Sequence, residues 1–105
     1  MSRPAELRVQ TLEERPGVTV LSVAGELDVS TAKNLESAVT DACEGQPAEL
    51  LFDLRELRFM DSAGIAVLLG ASRKVPSVRL RDPSMAVRRV LEMTGLTQVL
   101  PFAER

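Results

Sequence analysis

Two short polar segments hold the side chains best placed for chemistry: Glu26 and Asp28 in Gly25-Glu26-Leu27-Asp28, and Asp61 and Ser62 in Met60-Asp61-Ser62-Ala63-Gly64. Ser62 stands where an exit loop meets an apolar run of helix length, so its hydroxyl should face solvent from a rigid mount. The first turn of a helix carries unpaired N–H groups and a partial positive charge, and a phosphoserine brings about −1.5 to −2 charges with strong acceptor oxygens. The position therefore suits a phosphoryl group. Stabilisation at an exposed helix end is only about 0.3 to 1 kcal/mol, and Asp61, Glu26 and Asp28 oppose the added charge. Modification should thus change what the surface binds more than it changes the fold. The same string has a plainer reading, in which Asp61 or Ser62 caps the helix and Gly64 packs closely against a sheet instead of admitting a partner.

Enzymatic readings are weaker. The chain has no histidine, Ser62 has no lysine beside it, and the sequence offers no Gly-x-Ser-x-Gly elbow, P-loop or Gly-x-Gly-x-x-Gly string. Glu26 and Asp28 could share a Mg²⁺ ion, although two acids on a turn ordinarily stay solvated. No catalytic residue, metal site or cofactor is expected.

Composition narrows the field further. Thirteen Lys and Arg against fifteen Asp and Glu leave a net charge of −2, far from the basic footprint that nucleic acid demands. The 105 residues, 45% hydrophobic and 27% charged, fit one globular domain spanning 1–105. Cys43, the single cysteine, cannot close an internal disulfide and reads as a small buried hydrophobe, not a reactive thiol. Trp and Tyr are absent, which argues against base-stacking platforms. No stretch reaches the roughly 20 apolar residues of a membrane span, and Met1 to Glu6 carry no apolar leader core. A cytoplasmic protein is expected, with neither membrane nor nucleic acid as partner.

The elements that must position these residues are legible in outline. Leu7, Val9 and Thr11 alternate with Arg8 and Gln10, and Val18 to Ala24 form a β-branched run after Pro16-Gly17, together predicting a hairpin. Gly25 to Asp28 then reads as a corner. Leu35, Ala38, Val39, Ala42 and Cys43 form one stripe of a helix, with Ser30 as N-cap and Gly45 and Pro47 at its end. Glu49 to Leu54 predicts a central strand, and Ile65 to Ala71 a helix apolar all round. After Pro76, Ser77 to Arg81 predicts a strand. Asp82-Pro83 should start a helix carrying Val87, Val90 and Leu91 that closes at Gly95 and Leu96, and Val99-Leu100 add an edge strand. The order β-β-α-β-α-β-α-β implies an α/β fold with a mixed sheet of four to five strands, its helices mainly on one face.

In order and spacing, several strings resemble the STAS domain family and, within it, the bacterial anti-sigma factor antagonists. They are Gly25-Glu26-Leu27-Asp28 before Ser30-Thr31-Ala32, Phe52-Asp53-Leu54, Phe59-Met60-Asp61-Ser62-Ala63-Gly64-Ile65, and Asp82-Pro83-Ser84 with Val87 to Leu96. The resemblance implies a protein that binds an anti-sigma factor and so frees a sigma factor. In such families the anti-sigma factor is often a serine kinase that phosphorylates the antagonist and ends the complex, and a metal-dependent phosphatase resets it. Ser62 matches the phosphoacceptor position, and Glu26, Asp28, Asp61, Ser62, Ala63 and Gly64 would form the partner surface. ATP and Mg²⁺ would arrive with the kinase. The short link from Arg73 to Val78 departs from the family pattern, and the sequence after Gly95 leaves little room for the family's terminal helix. The alternative is a constitutive STAS accessory subunit of a transport or signalling complex, with Ser62 only a cap.

Overall fold

The computed structural model describes residues 5–103, and five strands form one mixed sheet. Strands β1 (Leu7–Arg15) and β2 (Val18–Leu27) make the expected antiparallel hairpin. Its turn needs only Pro16 and Gly17, because proline presets its own φ and Gly17 takes φ 83 without steric cost. Helix α1 (Ala32–Glu44), strands β3 (Glu49–Asp53) and β4 (Leu57–Met60), helix α2 (Ser62–Ser72), strand β5 (Ser77–Arg81) and helix α3 (Met85–Met93) follow. A 3-10 turn, Leu96–Gln98, comes last.

Strand β2 is the hub of the sheet. Its Val18 to Ser22 pair in parallel with β3, and its Gly25 to Leu27 pair in parallel with β4. Consequently β3 and β4 lie end to end along one edge of β2, while β5 pairs in parallel with the other side of β3. The α/β class and the five strands agree with the sequence reading, but one strand is displaced. Leu57–Met60, to which the sequence reading assigned no strand, is the strand β4, and Gly25 to Leu27 of the expected Gly25 to Asp28 corner are the end of β2 that receives it. Val99 and Leu100 instead follow the 3-10 turn, and Phe102 makes a single bridge to Leu80.

The three helices pack on the face that displays Leu21, Val23, Leu50, Phe52, Val78 and Leu80. On α1 the predicted stripe is inward: Leu35 and Val39 are buried, and Ala38, Ala42 and Cys43 pack partly buried against the core. Cys43 thus behaves as a small apolar side chain. Helix α2 buries Gly64, Val67, Leu68 and Ala71, and α3 buries Val87 and Leu91. The cap of α3 is Ser84, whose Oγ accepts from the Val87 N–H at 3.2 Å, in place of the expected Asp82, which sits at φ 51. Gly95 closes that helix as expected, at φ 74, with Leu96 buried behind it.

Among the described residues no helix covers the opposite face of the sheet, yet Val20 and Leu51, side by side there, are only 2% and 4% exposed. Ion pairs shield them. Arg79 meets Glu49 at 2.8 Å, and Arg81 meets both Glu14 at 3.0 Å and Asp53 at 3.3 Å, so long side chains lie where a second layer would otherwise be.

Candidate functional site

The site lies where β2 and β4 end together. Leu27 stands opposite Met60, and the Leu27 carbonyl accepts from the Asp61 N–H at 3.2 Å, which joins the loop after β2 to the entrance of α2. This places the two polar segments of the sequence side by side at the carboxyl ends of parallel strands, where α/β sheets gather their sites.

Asp61 caps α2: its Oδ1 accepts from the Ala63 N–H at 2.9 Å. Ser62 is the first helical residue and is exposed, and among the described residues its hydroxyl has no hydrogen-bond partner. The two readings of this string therefore separate by residue, with the cap on Asp61 and a displayed hydroxyl on Ser62. Ala63 is half-buried. Gly64 is buried, and a Cβ on it would come within 2.7 Å of the Leu27 side chain and 2.9 Å of Met60 Cγ. Gly64 thus serves close packing of α2 on the sheet, as in the plainer reading of the string.

The facing loop is held just as firmly. Thr31, only 3% exposed, donates from Oγ1 to the Glu26 carbonyl at 2.8 Å and accepts from the Asp28 N–H at 3.0 Å. Asp28 Oδ1 accepts from the Ser30 N–H at 2.8 Å and from the Ser30 hydroxyl at 2.6 Å. The Ser30 side-chain bond leads the interactions that hold the Asp28 carboxyl below its ordinary pKa, outweighing a small desolvation. Ser30 is therefore not the N-cap of α1. Thr31 occupies that position, its hydroxyl spent on the corner and not on the helix. Glu26 and Asp28 remain half-buried at the rim. Among the described residues, no three side chains of the His, Cys, Asp or Glu type gather closely enough to hold a metal ion.

Two supporting residues escaped the sequence reading. Thr31 figured only within the string Ser30-Thr31-Ala32, with no role of its own. Asp53 sat in an apolar run, yet its side chain is 6% exposed and accepts from the Arg55 N–H at 3.1 Å, Arg55 Nη2 at 3.0 Å and Arg81 Nη2 at 3.3 Å. These bonds hold the turn that swings the chain from β3 into β4, and so they set where Ser62 emerges. A lone acid inside a strand-length apolar run was the available signal.

The model of the STAS domain family matches residues 10–105. The chain belongs to the STAS domain family. Among STAS proteins it is 37% identical to the anti-sigma-F factor antagonist RsfB of Mycobacterium tuberculosis over 75 residues. That stretch is 71% of this chain and 61% of RsfB, so the match spans about three fifths of the relative's length. The crystal structure of an anti-sigma factor antagonist from Mycobacterium paratuberculosis superposes with a TM-score of 0.88 at 30% identity, covering 100% of this chain and 92% of that one. The STAS fold also matches Bacillus SpoIIAA, at 24% identity, in its unphosphorylated form (TM-score 0.79, 93% and 90% covered) and its phosphorylated form (0.70, 93% and 93%). Among the described residues, no helix is long and apolar enough to cross a membrane.

Proposed function

We propose that this STAS domain is an anti-sigma factor antagonist: it binds an anti-sigma factor through the surface around Ser62, frees a sigma factor, and is switched off when Ser62 is phosphorylated. The surface comprises Glu26, Asp28, Asp61, Ser62 and Ala63, with Gly64 holding the helix beneath them. The observation that carries the reading is the exposed, unpartnered hydroxyl of Ser62 on a helix start already capped by Asp61. A kinase can reach it, and phosphorylation removes no interaction that the fold uses. The same architecture is solved for SpoIIAA in both phosphorylation states, which supports a scaffold that keeps its shape. The names of the relatives support the partner.

The chemistry belongs to the partners. A serine kinase, the anti-sigma factor itself in the simplest arrangement, brings ATP and Mg²⁺, and a metal-dependent phosphatase reverses the modification. This chain supplies a surface and an acceptor, acts in the cytoplasm, and catalyses nothing.

The test uses the purified chain with each anti-sigma factor kinase of its source organism. Mass spectrometry should find one phosphate, on Ser62, with none on Ser62→Ala. Ser62→Asp should abolish binding and leave the circular dichroism spectrum unchanged, since charge at this position acts on the interface. Binding indifferent to both the phosphate and Ser62→Asp would overturn the switch and leave a constitutive STAS subunit.

A further inference from the structure

The loop facing Ser62 carries an apolar side chain that the fold leaves in water. Val29 is 80% exposed. It rides on the turn held by Thr31 and by the Asp28 carbonyl, which accepts from the Ala32 N–H at 2.8 Å. Because the Leu27 carbonyl holds the Asp61 N–H, Val29 and Ser62 emerge from one junction, two residues and one residue beyond it. Phe59, opposite Glu26 on β4, is a second exposed apolar side chain, at 47%. A β-branched side chain with a restricted χ1 on a rigid turn loses little entropy on docking, as an interface anchor should.

We infer that Val29 is the apolar anchor by which this surface engages the anti-sigma factor. The inference rests on the function proposed above and adds how the partner is held. Glu26, Asp28 and Asp61 supply the polar rim, and Val29 is the large apolar side chain that the loop facing Ser62 leaves exposed.

The experiment measures affinity of the purified chain for the anti-sigma factor that phosphorylates it, comparing the wild type, Val29→Ser, Val29→Leu, a Leu12→Ser control and the Ser62-phosphorylated chain. Leu12, 64% exposed on the distant hairpin, tests surface polarity alone. Loss of a buried valine contact should weaken binding roughly ten- to hundredfold in Val29→Ser. Val29→Leu and Leu12→Ser should stay within about threefold of wild type, and all melting curves should coincide, because both positions are exposed. Val29→Ser binding like wild type while phosphorylation still abolishes binding would overturn the anchor and leave the antagonist reading standing. A wild-type chain that binds no anti-sigma factor would overturn the underlying function itself.

Discussion

At the scale of single residues, the site depends on a division of labour between neighbours. Asp61 takes the helix cap, and this leaves Ser62 with a hydroxyl that nothing inside the fold requires. A serine that capped the helix would lose that bond on modification, and phosphorylation would then act on stability as well as on the surface. The arrangement predicts different costs at the two positions. Asp61→Ala should destabilise the chain by about 1 kcal/mol, the ordinary loss for an N-cap, whereas Asp61→Asn should cost only a few tenths of that, since both side chains accept from the helix N–H groups. Ser62→Ala should leave stability within about 0.5 kcal/mol of wild type, as for other surface changes outside structural features. Urea unfolding of the three variants checks the contrast. Equal losses at 61 and 62 would mean that the hydroxyl shares the capping.

At the scale of elements, the two glycines of α2 show how the helix is seated. A Cβ at Gly64 would press on Leu27 and Met60, while one at Gly70 meets nothing within 4 Å. Alanine gains up to about 1 kcal/mol over glycine inside a helix. Overpacking costs about 1 to 3 kcal/mol. Gly70→Ala should therefore raise the melting temperature and Gly64→Ala should lower it, and two thermal scans decide. The same packing explains which elements were legible beforehand. Helical stripes were plain because each buries one side of a cylinder, as Leu35 and Val39 do. The strand Leu57–Met60 was not, because a register shift between Gly25 and Glu26 leaves Leu57 and Met60 buried at its ends and Arg58 and Phe59 exposed between them, which destroys the alternation of a half-buried strand. Its partner was equally obscured: Gly25-Glu26-Leu27-Asp28 reads as a turn by composition, yet Gly25 stays in the strand at φ 109, where a Cβ would strike the Glu6 carbonyl. Val99 and Leu100 carried strand-like composition, but the left-handed Gly95 opens a 3-10 turn after which Leu100 is buried and Val99 is exposed. The exposed start of α2 at Ser62 was readable from the string around it. Thr31 and Asp53, which hold the mount, were not, because their roles arise from carbonyls and arginines distant in sequence.

At the scale of the whole molecule, charge organises the helix-free face of the sheet and sets the response to acid. With no histidine in the chain, no imidazole titrates between pH 5 and 8, so no imidazole-linked change in stability is expected across that range. Below it, two carboxyls matter most. Burial would push Asp53 up, but the hydrogen bonds and charge of Arg55, with Arg81 beside it, outweigh burial and hold it below the ordinary aspartate value. Asp28 is held down by Ser30. A carboxyl whose pKa is lower folded than unfolded binds protons more readily in the unfolded chain. Its contribution is then complete above the unfolded value of about 3.9 and drains away as pH falls through the folded value. The urea midpoint should therefore stay level from neutrality to about pH 5 and fall steeply below about pH 4. Asp53→Asn should lower the midpoint at neutral pH by an amount equivalent to about 1 to 3 kcal/mol, because Arg55 and Arg81 lose a charged acceptor. It should also flatten the acid descent, since one of the groups that drives it is gone. A variant that kept the wild-type slope in acid would show that Asp53 plays no part in the pH dependence, and that the ion pairs over Val20 and Leu51 are cover for the sheet and nothing more.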